Sequence, residues 1–313
     1  MKTHEILYQT LAQAQDYVNG EQLAQEMGLS RTSIWKAIQR LEKEGIEIES
    51  VKNRGYKILS GDLLIPQVIE DLCTLTVSYN PQCQSTQLEA KNAMEAGEQS
   101  STLYLAPFQT AGKGRFGRDY FCPSQGGIYM SLHLKPNLPF DQAPAYTLMV
   151  AAAIYKALKN LALLDIDIKW VNDIYYRGKK VGGILTEAIS SIETGLITDV
   201  IIGVGINFAI TDFPKELKDK AGSLFDSQPP ISRNELIAEI WKEFFNTPEE
   251  ELIYLYKQRS LVLGKEVCFE QNQTSYQGLA KDISDNGQLL VQLTDGQERW
   301  LNSGEISLKQ WDL

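Results

Sequence analysis

Cysteine and histidine are scarce in this sequence, which limits the kinds of site that it can build. Its 313 residues include four cysteines, Cys73, Cys83, Cys122 and Cys268, and two histidines, His4 and His133. None of them shows the close spacing of metal ligands or of a disulfide framework. We therefore expect neither a structural zinc site nor a disulfide-linked fold, and the chemistry should depend on other residue types.

Long apolar runs are also lacking. The longest, Leu148–Tyr155, has eight residues, whereas a membrane span requires roughly 18. Residues Met1–Glu5 lead into an amphipathic segment rather than the apolar core of a signal peptide, and we find no internal repeat or low-complexity tract. The sequence thus predicts a cytoplasmic protein that does not associate with membranes.

Positive charge is in deficit over the whole chain. With 30 basic and 40 acidic residues, the formal net charge is −10, which argues against nucleic-acid binding over the entire surface. A hydrophobic content of 43% and a charged content of 22% are typical of a globular protein, and the length suggests two or three domains. One local basic face is still compatible with this balance.

Residues 1–60 have the pattern of a winged helix-turn-helix domain. Apolar periodicity predicts three helices, followed by two strands around a basic tip. Gly28 can end the second helix in a left-handed conformation, and Ser30 can cap the third. The predicted elements are a helix with the apolar stripe Ile6, Leu7, Leu11 and Ala14, helices at 21–27 and 31–44, and strands at 46–50 and 56–59.

Basic residues concentrate on the third helix and the wing of this domain. Residues 1–60 hold 8 basic and 8 acidic residues, but residues 31–57 hold seven basic residues against four acidic ones. Cations there can meet phosphates while polar side chains reach base edges in the major groove, which predicts a DNA-binding face. A helix that binds another protein is the alternative. The predicted DNA-binding residues are Glu21, Arg31, Thr32, Ser33, Lys36, Arg40, Lys43, Lys52 and Arg54.

The run of residues 109–118, QTAGKGRFGR, is the most distinctive stretch of the chain. Its glycines allow backbone N–H groups to approach a ligand, and its cations Lys113, Arg115 and Arg118 favour a phosphate or a carboxylate. The pattern G-x-G-x-x-G is present, but turn residues and an alternating strand follow it rather than the helix of a dinucleotide-binding turn. We interpret it as an anion-binding loop between strands; a mobile basic loop is the alternative.

Residues 83–261 are predicted to form a mixed α/β domain, joined to the first domain by a connector at 61–82. Thr86 and Glu89 have the spacing of a capping box that begins a helix, but hydroxyls at this helix start could also face a ligand. The sequence alone leaves both interpretations open. The other predicted elements are strands at 103–107, 128–134, 166–176, 180–187 and 197–204, helices at 143–163, 232–245 and 248–259, and a loop at 212–226.

Polar residues crowd the predicted strand 166–176. Lys169, Asn172 and Asp173 lie within five residues, and such side chains belong in a core strand only where they line a site. Lys180 begins the returning strand beside two glycines, where a backbone can approach a ligand; a surface hairpin lysine is the alternative. Glycines and an amide also end the strand at Gly203–Asn207.

From about Val262 the sequence changes to short alternating segments. Two hairpin signals, Asp285-Asn286-Gly287 and Asp295-Gly296, separate them. Residues 262–313 are therefore predicted to form a small β-barrel.

Taken in order, these segments resemble the bifunctional biotin protein ligases that also repress biotin synthesis. The resemblance implies an α+β multidomain protein with an N-terminal winged helix-turn-helix domain, a central α/β domain of the biotin/lipoate ligase type and a C-terminal SH3-like β-barrel. Three positions depart from the family pattern, which usually has Asn at Gln87, Arg at Lys113 and Pro at Val171. The motifs that carry the resemblance are Ser85–Gln87, Gln109–Arg118, Lys169–Asp173, Lys180–Leu185, Gly203–Asn207 and Gly304–Leu308.

The resemblance implies ATP-dependent activation of biotin to biotinyl-5′-AMP, with Mg²⁺ as a cofactor. Lys180, Arg115 and Asp173 would be the catalytic residues, and Asp173 would orient the acceptor lysine or hold Mg²⁺. The implied nucleotide-binding residues are Gly112, Lys113, Arg115, Arg118, Asn172 and Asn207. The implied biotin-binding residues are Ser85, Thr86, Gln87, Gln109, Lys113, Gly114, Arg115, Tyr129, Lys180, Gly183 and Gly203.

The implied partners are a biotin carboxyl carrier domain, whose lysine receives the biotin, and operator DNA. A homodimer promoted by biotinyl-5′-AMP is the accompanying hypothesis. Two alternatives are retained: a lipoate ligase or related acyl transferase, and a transcription factor that uses an inactive ligase domain to sense biotin.

Overall fold

A computed structural model describes residues 1–98, 101–271, 273–302, 304 and 306–308. Glu305, within the last of the family motifs, and the C-terminal residues 309–313 of the predicted barrel lie outside the described residues. Within the described part of the chain, no helix is long and apolar enough to cross a membrane.

The N-terminal unit is a winged helix-turn-helix, as predicted. Ser30 caps the third helix by accepting a hydrogen bond from the Ser33 N–H at 3.1 Å, and Gly28 has the predicted positive φ of 65°. Ile6 is an exception to the predicted apolar stripe, because it is 39% exposed while Leu7 and Leu11 are buried. The elements are α1 (Thr3–Gln13), α2 (Gly20–Glu26), α3 (Arg31–Lys43), β1 (Glu47–Val51) and β2 (Gly55–Ser60).

The central unit is an eight-stranded mixed sheet. Its main path runs β3-β4-β5-β10-β9-β8-β7, and β6 pairs with β10 beside this path. The strands are β3 (Thr76–Tyr79), β4 (Thr102–Ala106), β5 (Gly127–Leu134), β6 (Leu138–Pro139), β7 (Asp167–Lys169), β8 (Asp173–Tyr176), β9 (Lys179–Ser190) and β10 (Leu196–Asn207).

Five longer helices accompany this sheet. The apolar face of α6 is buried, because Ile154, Leu158 and their neighbours join the main core cluster with residues from β4, β5 and β10. Ser232 and Glu235 form the predicted capping box at the start of α7. The helices are α4 (Pro66–Leu72), α5 (Thr86–Glu95), α6 (Tyr146–Ala162), α7 (Arg233–Asn246) and α8 (Glu249–Gln258).

Two local predictions for this unit are wrong. The segment 166–176 is not one strand, because residues 170–172 form a turn and β7 pairs antiparallel with β8. Ser85, not Thr86, is the N-cap of α5: its hydroxyl accepts from the Leu88 N–H at 3.4 Å. The predicted connector 61–82 contains α4 and β3, and β3 joins the central sheet parallel to β4.

The C-terminal unit is a small antiparallel β-structure. Its strand order is β14-β13-β12-β11-β15, so the last strand returns beside the first. Apolar side chains alternate inward along these strands, as at Leu289, Val291 and Leu293. The strands are β11 (Glu266–Gln271), β12 (Thr274–Ile283), β13 (Leu289–Leu293), β14 (Glu298–Leu301) and β15 (Ile306–Leu308).

Candidate active site

A cavity of about 650 Å³ lies where the glycine- and cation-rich loop, residues 109–118, meets the start of α5, the central strands and the C-terminal sheet. The structure therefore brings together segments that are far apart in the chain. The predicted site residues on its wall are Ser85, Thr86, Gln87, Gln109, Lys113, Gly114, Arg115, Arg118, Asn172, Asp173, Lys180, Gly183 and Gly203.

One end of the cavity carries uncharged hydrogen-bonding groups. Thr86 is 3% exposed, and its backbone N–H donates to Gln109 Oε1 at 2.7 Å. The Thr86 hydroxyl lies 2.9 Å from the hydroxyl of Ser131, a buried residue of β5. Of the two interpretations left open by the sequence, the capping box at Thr86 is not formed, because Ser85 caps α5, whereas the start of this helix does line the cavity.

The floor of the cavity depends on two glycines of β10. A Cβ at Gly203 would lie 2.6 Å from Gln87 Oε1, and a Cβ at Gly205 would lie 2.6 Å from the Tyr120 ring. Both distances are shorter than a carbon atom tolerates. Because alternate residues of a strand face the same side, the two glycines leave space for Gln87 and Tyr120 side by side.

The other end of the cavity is cationic. Lys180 Nζ lies 2.6 Å from Asp173 Oδ1, and both side chains are partly exposed. Arg115 donates to Asn172 Oδ1 at 3.2 Å, while Asn172 Nδ2 donates to the Ile184 carbonyl at 2.9 Å. Asn172 thus fixes Arg115 relative to β9. Lys180 and Arg115 thus present cations from separate elements to the same cavity, where an anion can bind.

The glycine- and cation-rich loop folds back on itself. Arg115–Gly117 forms a short 3-10 turn in which Phe116 has a positive φ of 58° and is 67% exposed. Lys113 pairs with Asp119 across the loop at 2.5 Å. Lys113 thus keeps a charge at the family's arginine position, and its partner is an acidic residue of the same loop.

Three predicted site residues do not line the cavity. Tyr129 is fully buried and its hydroxyl donates to the Pro123 carbonyl at 3.3 Å. Asn207 donates through its amide to the Gly222 carbonyl at 2.9 Å. A Cβ at Gly112 would lie 2.6 Å from Cys122 Sγ and 3.2 Å from Gln109 Nε2. The contacts of these three residues with a ligand therefore stay predictions, since none of the three is part of the cavity wall.

Several residues of the wall were not predicted from the sequence. Tyr120 lines the cavity, and burial raises the pKa of its phenol, so it stays protonated. Burial likewise raises the pKa of the nearby Cys122 thiol to about 11, which keeps this thiol neutral. Phe269 and Ser275 of the C-terminal sheet also line the cavity, as do Ser131 and Trp170. Local periodicity gives no signal for these residues, because only tertiary packing brings them there.

The predicted DNA-binding residues lie on α3 and on the wing, except for Glu21, which lies on α2. Arg31 is paired with Glu21, Arg40 with Glu44 and Arg54 with Asp16. The buried side of α3 consists instead of Ile34, Ala37, Ile38 and Leu41. Lys36 and Lys43 lie on the exposed side of α3, and Lys52 is exposed in the turn of the wing.

The comparisons with known proteins agree with this architecture. Family models match residues 3–57 (HTH domain), 79–207 (biotin/lipoate A/B protein ligase family) and 262–309 (biotin protein ligase C-terminal domain). The bifunctional ligase/repressor BirA of Bacillus subtilis is 32% identical over 309 residues, with 94% of each chain covered. BirA of Escherichia coli is 27% identical over 319 residues, again covering 94% of each chain.

A solved structure of a biotin protein ligase has a similar fold over most of this chain. The Aquifex aeolicus biotin protein ligase in complex with biotin and ATP aligns with a TM-score of 0.61 and 26% identity. The alignment covers 75% of this chain and 99% of that one. By sequence and by fold, the chain belongs to the biotin/lipoate protein ligase family, among the bifunctional ligase/repressors of the BirA type.

Proposed function

We propose that this protein joins biotin to ATP and then transfers biotin to a lysine of a biotin carboxyl carrier domain. The observation that carries the proposal is the two-part cavity. Its uncharged end, with Thr86 and Gln109, suits the ureido ring of biotin, and its cationic end, with Arg115 and Lys180, suits a carboxylate beside a triphosphate.

In the first step, a carboxylate oxygen of biotin attacks the α-phosphorus of ATP, and the bond to the β-phosphate oxygen breaks. Biotinyl-5′-AMP forms and pyrophosphate leaves. Two anions must approach each other, so Lys180 and Arg115 lower the barrier by neutralising the charge that grows on the phosphoryl oxygens. Lys180 exchanges Asp173, its partner at 2.6 Å, for the biotin carboxylate.

In the second step, the amine of the acceptor lysine attacks the acyl carbon of the mixed anhydride. An amide forms, AMP leaves, and the amine gives up a proton. Asp173 is released from Lys180 when the carboxylate binds, so it can orient this amine and accept its hydrogen bond. Closure of the loop 109–118 over the adenylate keeps water away from the anhydride.

The proposed Mg²⁺ would enter with ATP. Among the described residues, no group of three or more His, Cys, Asp or Glu side chains could hold a metal ion. Mg²⁺ needs only one or two carboxylates when phosphate oxygens and water complete its shell, and Asp173 can supply one. When bound, the ion would offset the negative charge of the phosphates.

Biotin-dependent exchange of labelled pyrophosphate into ATP tests the first step. We expect Lys180→Ala to lower the exchange rate at least about a hundredfold, because it removes a cation that acts on the developing charge. Lys179→Ala is the matched control, since Lys179 is exposed and donates to the Lys218 carbonyl at 2.9 Å.

Each other outcome of this exchange assay has a distinct meaning. No exchange in the wild type would leave a repressor that senses biotin without activating it. Exchange that depends on lipoate rather than biotin would indicate a lipoate ligase. Equal exchange in wild type and Lys180→Ala would refute the assignment of Lys180.

The N-terminal unit, residues 1–60, is proposed to bind operator DNA in the cytoplasm through α3 and the wing, while residues 83–261 and 262–313 form the ligase. Lys36→Ala should lower operator affinity and reduce the slope of log affinity against log salt by about one, because one phosphate contact is lost. Lys218→Ala is the control, since Lys218 lies in the exposed loop after β10. Unchanged salt dependence in Lys36→Ala would argue for a protein-binding helix.

Repression is proposed to follow from dimerisation promoted by biotinyl-5′-AMP. Ordering of the loop 109–118 by the adenylate would lower the entropy cost of association, so that two winged helices bind a two-part operator. Sedimentation velocity with and without the adenylate measures this effect. A sedimentation coefficient that does not change would contradict the proposal.

A further inference from the structure

A second, smaller cavity lies beside the active site at the C-terminal sheet. Its volume is about 210 Å³, and it shares part of its wall with the main cavity. We call it the side cavity. The sequence predicts no ligand contact for the shared residues, and the first step proposed above does not use them. The shared residues are Trp170, Phe269, Glu270, Gly304 and Ile306, and the side cavity is completed by Gln271, Trp300, Leu301 and Asn302.

The side cavity combines aromatic side chains with one carboxylate. The indole N–H of Trp170 already donates to the Gly287 carbonyl at 2.9 Å, so this group is not free to bind a ligand. Trp300 is 47% exposed and adds a second indole. Among the described lining residues, Glu270 is the only one with a charge. Aromatic faces and a carboxylate both attract a cation, and apolar walls suit a methylene chain, whereas a phosphate would meet no cation here.

Glu270 is also an exception in the charge balance of the main cavity. The described wall of that cavity carries five cations and three carboxylates. Asp119 is paired with Lys113 at 2.5 Å. Asp173 is paired with Lys180 at 2.6 Å. Glu270, in contrast, is exposed and forms no ion pair with a described residue. Its charge repels biotin and ATP, which are both anions, and therefore favours a cationic substrate.

We infer that the side cavity binds the acceptor lysine as it enters the active site, with the methylene stem against Trp170 and Trp300 and the ammonium at Glu270. This inference rests on the proposed function and assigns the residues that receive its second substrate. Five cations of the main cavity would repel an approaching ammonium, and the carboxylate of Glu270 offsets this repulsion at the entrance. Glu270 thus serves binding, while the transfer itself takes place beyond it at the anhydride.

The test isolates the second step by supplying biotinyl-5′-AMP to the full-length protein and varying the concentration of a biotin carboxyl carrier domain. We expect Glu270→Gln to lower kcat/KM for the carrier about fivefold through a higher KM, the upper end of the scale for an exposed ion pair. Glu270→Lys should lower it further, because the reversed charge repels the ammonium. Trp300→Leu should lower it about threefold by removing an aromatic face. Added salt should reduce the difference between wild type and Glu270→Gln.

Two controls separate the lysine from the rest of the carrier. Glu298→Gln is the matched variant, since Glu298 is an exposed residue of β14 in the same C-terminal unit and lines neither cavity. It should keep the wild-type kcat/KM. A carrier whose acceptor lysine is replaced by alanine serves as a competitive inhibitor. Its inhibition constant should be equal for wild type and Glu270→Gln, because it has no ammonium to lose.

Three results would overturn this inference. The first is an unchanged kcat/KM for the carrier in both Glu270 variants. The second is a loss that appears in kcat with KM unchanged, which would mean that Glu270 acts in the transfer and not in binding. The third is weaker inhibition of Glu270→Gln by the carrier without its lysine, which would place Glu270 against another part of the carrier. Pyrophosphate exchange on the same preparations keeps the two proposals apart, because a wild type without biotin-dependent exchange would refute the proposed function itself.

Discussion

Single residues determine which groups reach the cavity. Gln87 stands where the family usually has Asn, and the resemblance implies that it binds biotin. In the structure its nitrogen faces Glu187 and its oxygen faces Ser131, so the protein already uses both ends of the amide. Gln in place of Asn therefore affects how the wall of the site is held in place more than it affects which groups contact the ligand.

Gly203→Ala should weaken biotin binding without affecting the fold. A Cβ at this position would lie 2.6 Å from Gln87 Oε1 and would push the amide away from Ser131. We expect the KM for biotin in pyrophosphate exchange to rise about tenfold, the usual scale for overpacking, with little change in the KM for ATP. Gly183→Ala is the matched comparison, because its Cβ would make only ordinary contacts, the nearest at 3.6 Å from Lys180 Cε. Equal KM values for Gly203→Ala and wild type would show that Gln87 can move at no cost.

At the scale of elements, α7 connects the segment that follows the N-terminal unit to the active-site sheet. Arg233, in its first turn, donates to Asp62 Oδ2 from its backbone N–H at 2.7 Å and from Nε at 3.1 Å. The same guanidinium donates to the Gly127 carbonyl at the start of β5 at 3.0 Å. Asn234 adds bonds to Leu63 and Ile65 of the segment that was predicted to be a connector. These bonds hold the start of this segment against α7.

Arg233→Met should destabilise the protein by roughly 3–5 kcal/mol, because it leaves the Asp62 carboxylate without its partner in a buried setting. The Arg233 side chain is 9% exposed, whereas the pair of Arg177 and Asp226 is 71% and 81% exposed. Arg177→Met is thus the control, with little or no expected change. Urea unfolding followed by circular dichroism measures both, and equal midpoints would show that the Asp62–Arg233 pair adds no stability.

At the scale of the whole molecule, buried phenols should set the alkaline limit of stability. Burial, aided by the Asp62 carboxylate, raises the pKa of Tyr8 from 10.0 to about 12. Burial, aided by the Asp173 carboxylate, raises the pKa of Tyr175 to about 12 as well. The folded state favours the neutral phenol, so its contribution is complete below pH 10 and is lost as the pH rises towards 12. We expect the free energy of unfolding to fall steadily through this range.

Tyr8→Phe isolates one of these contributions. The variant has no phenol to ionise at this position, so its free energy of unfolding should fall less steeply between pH 10 and pH 12 than that of the wild type. Denaturant titrations at several pH values measure the difference in slope. Parallel curves for the two proteins would contradict a raised pKa at Tyr8.

The local sequence was sufficient to predict the order of the domains, most of the helices and strands, and the glycine- and cation-rich loop. Caps such as Ser30 and the Ser232–Glu235 box act within one turn, so neighbouring residues reveal them. The polarity of the cavity depends instead on long-range contacts. Gln87 and Glu187 are 100 positions apart, and alternation along one strand cannot show that they touch. Only the packing of α5 against β9 and β10 decided which amide, hydroxyl and carboxylate share hydrogen bonds.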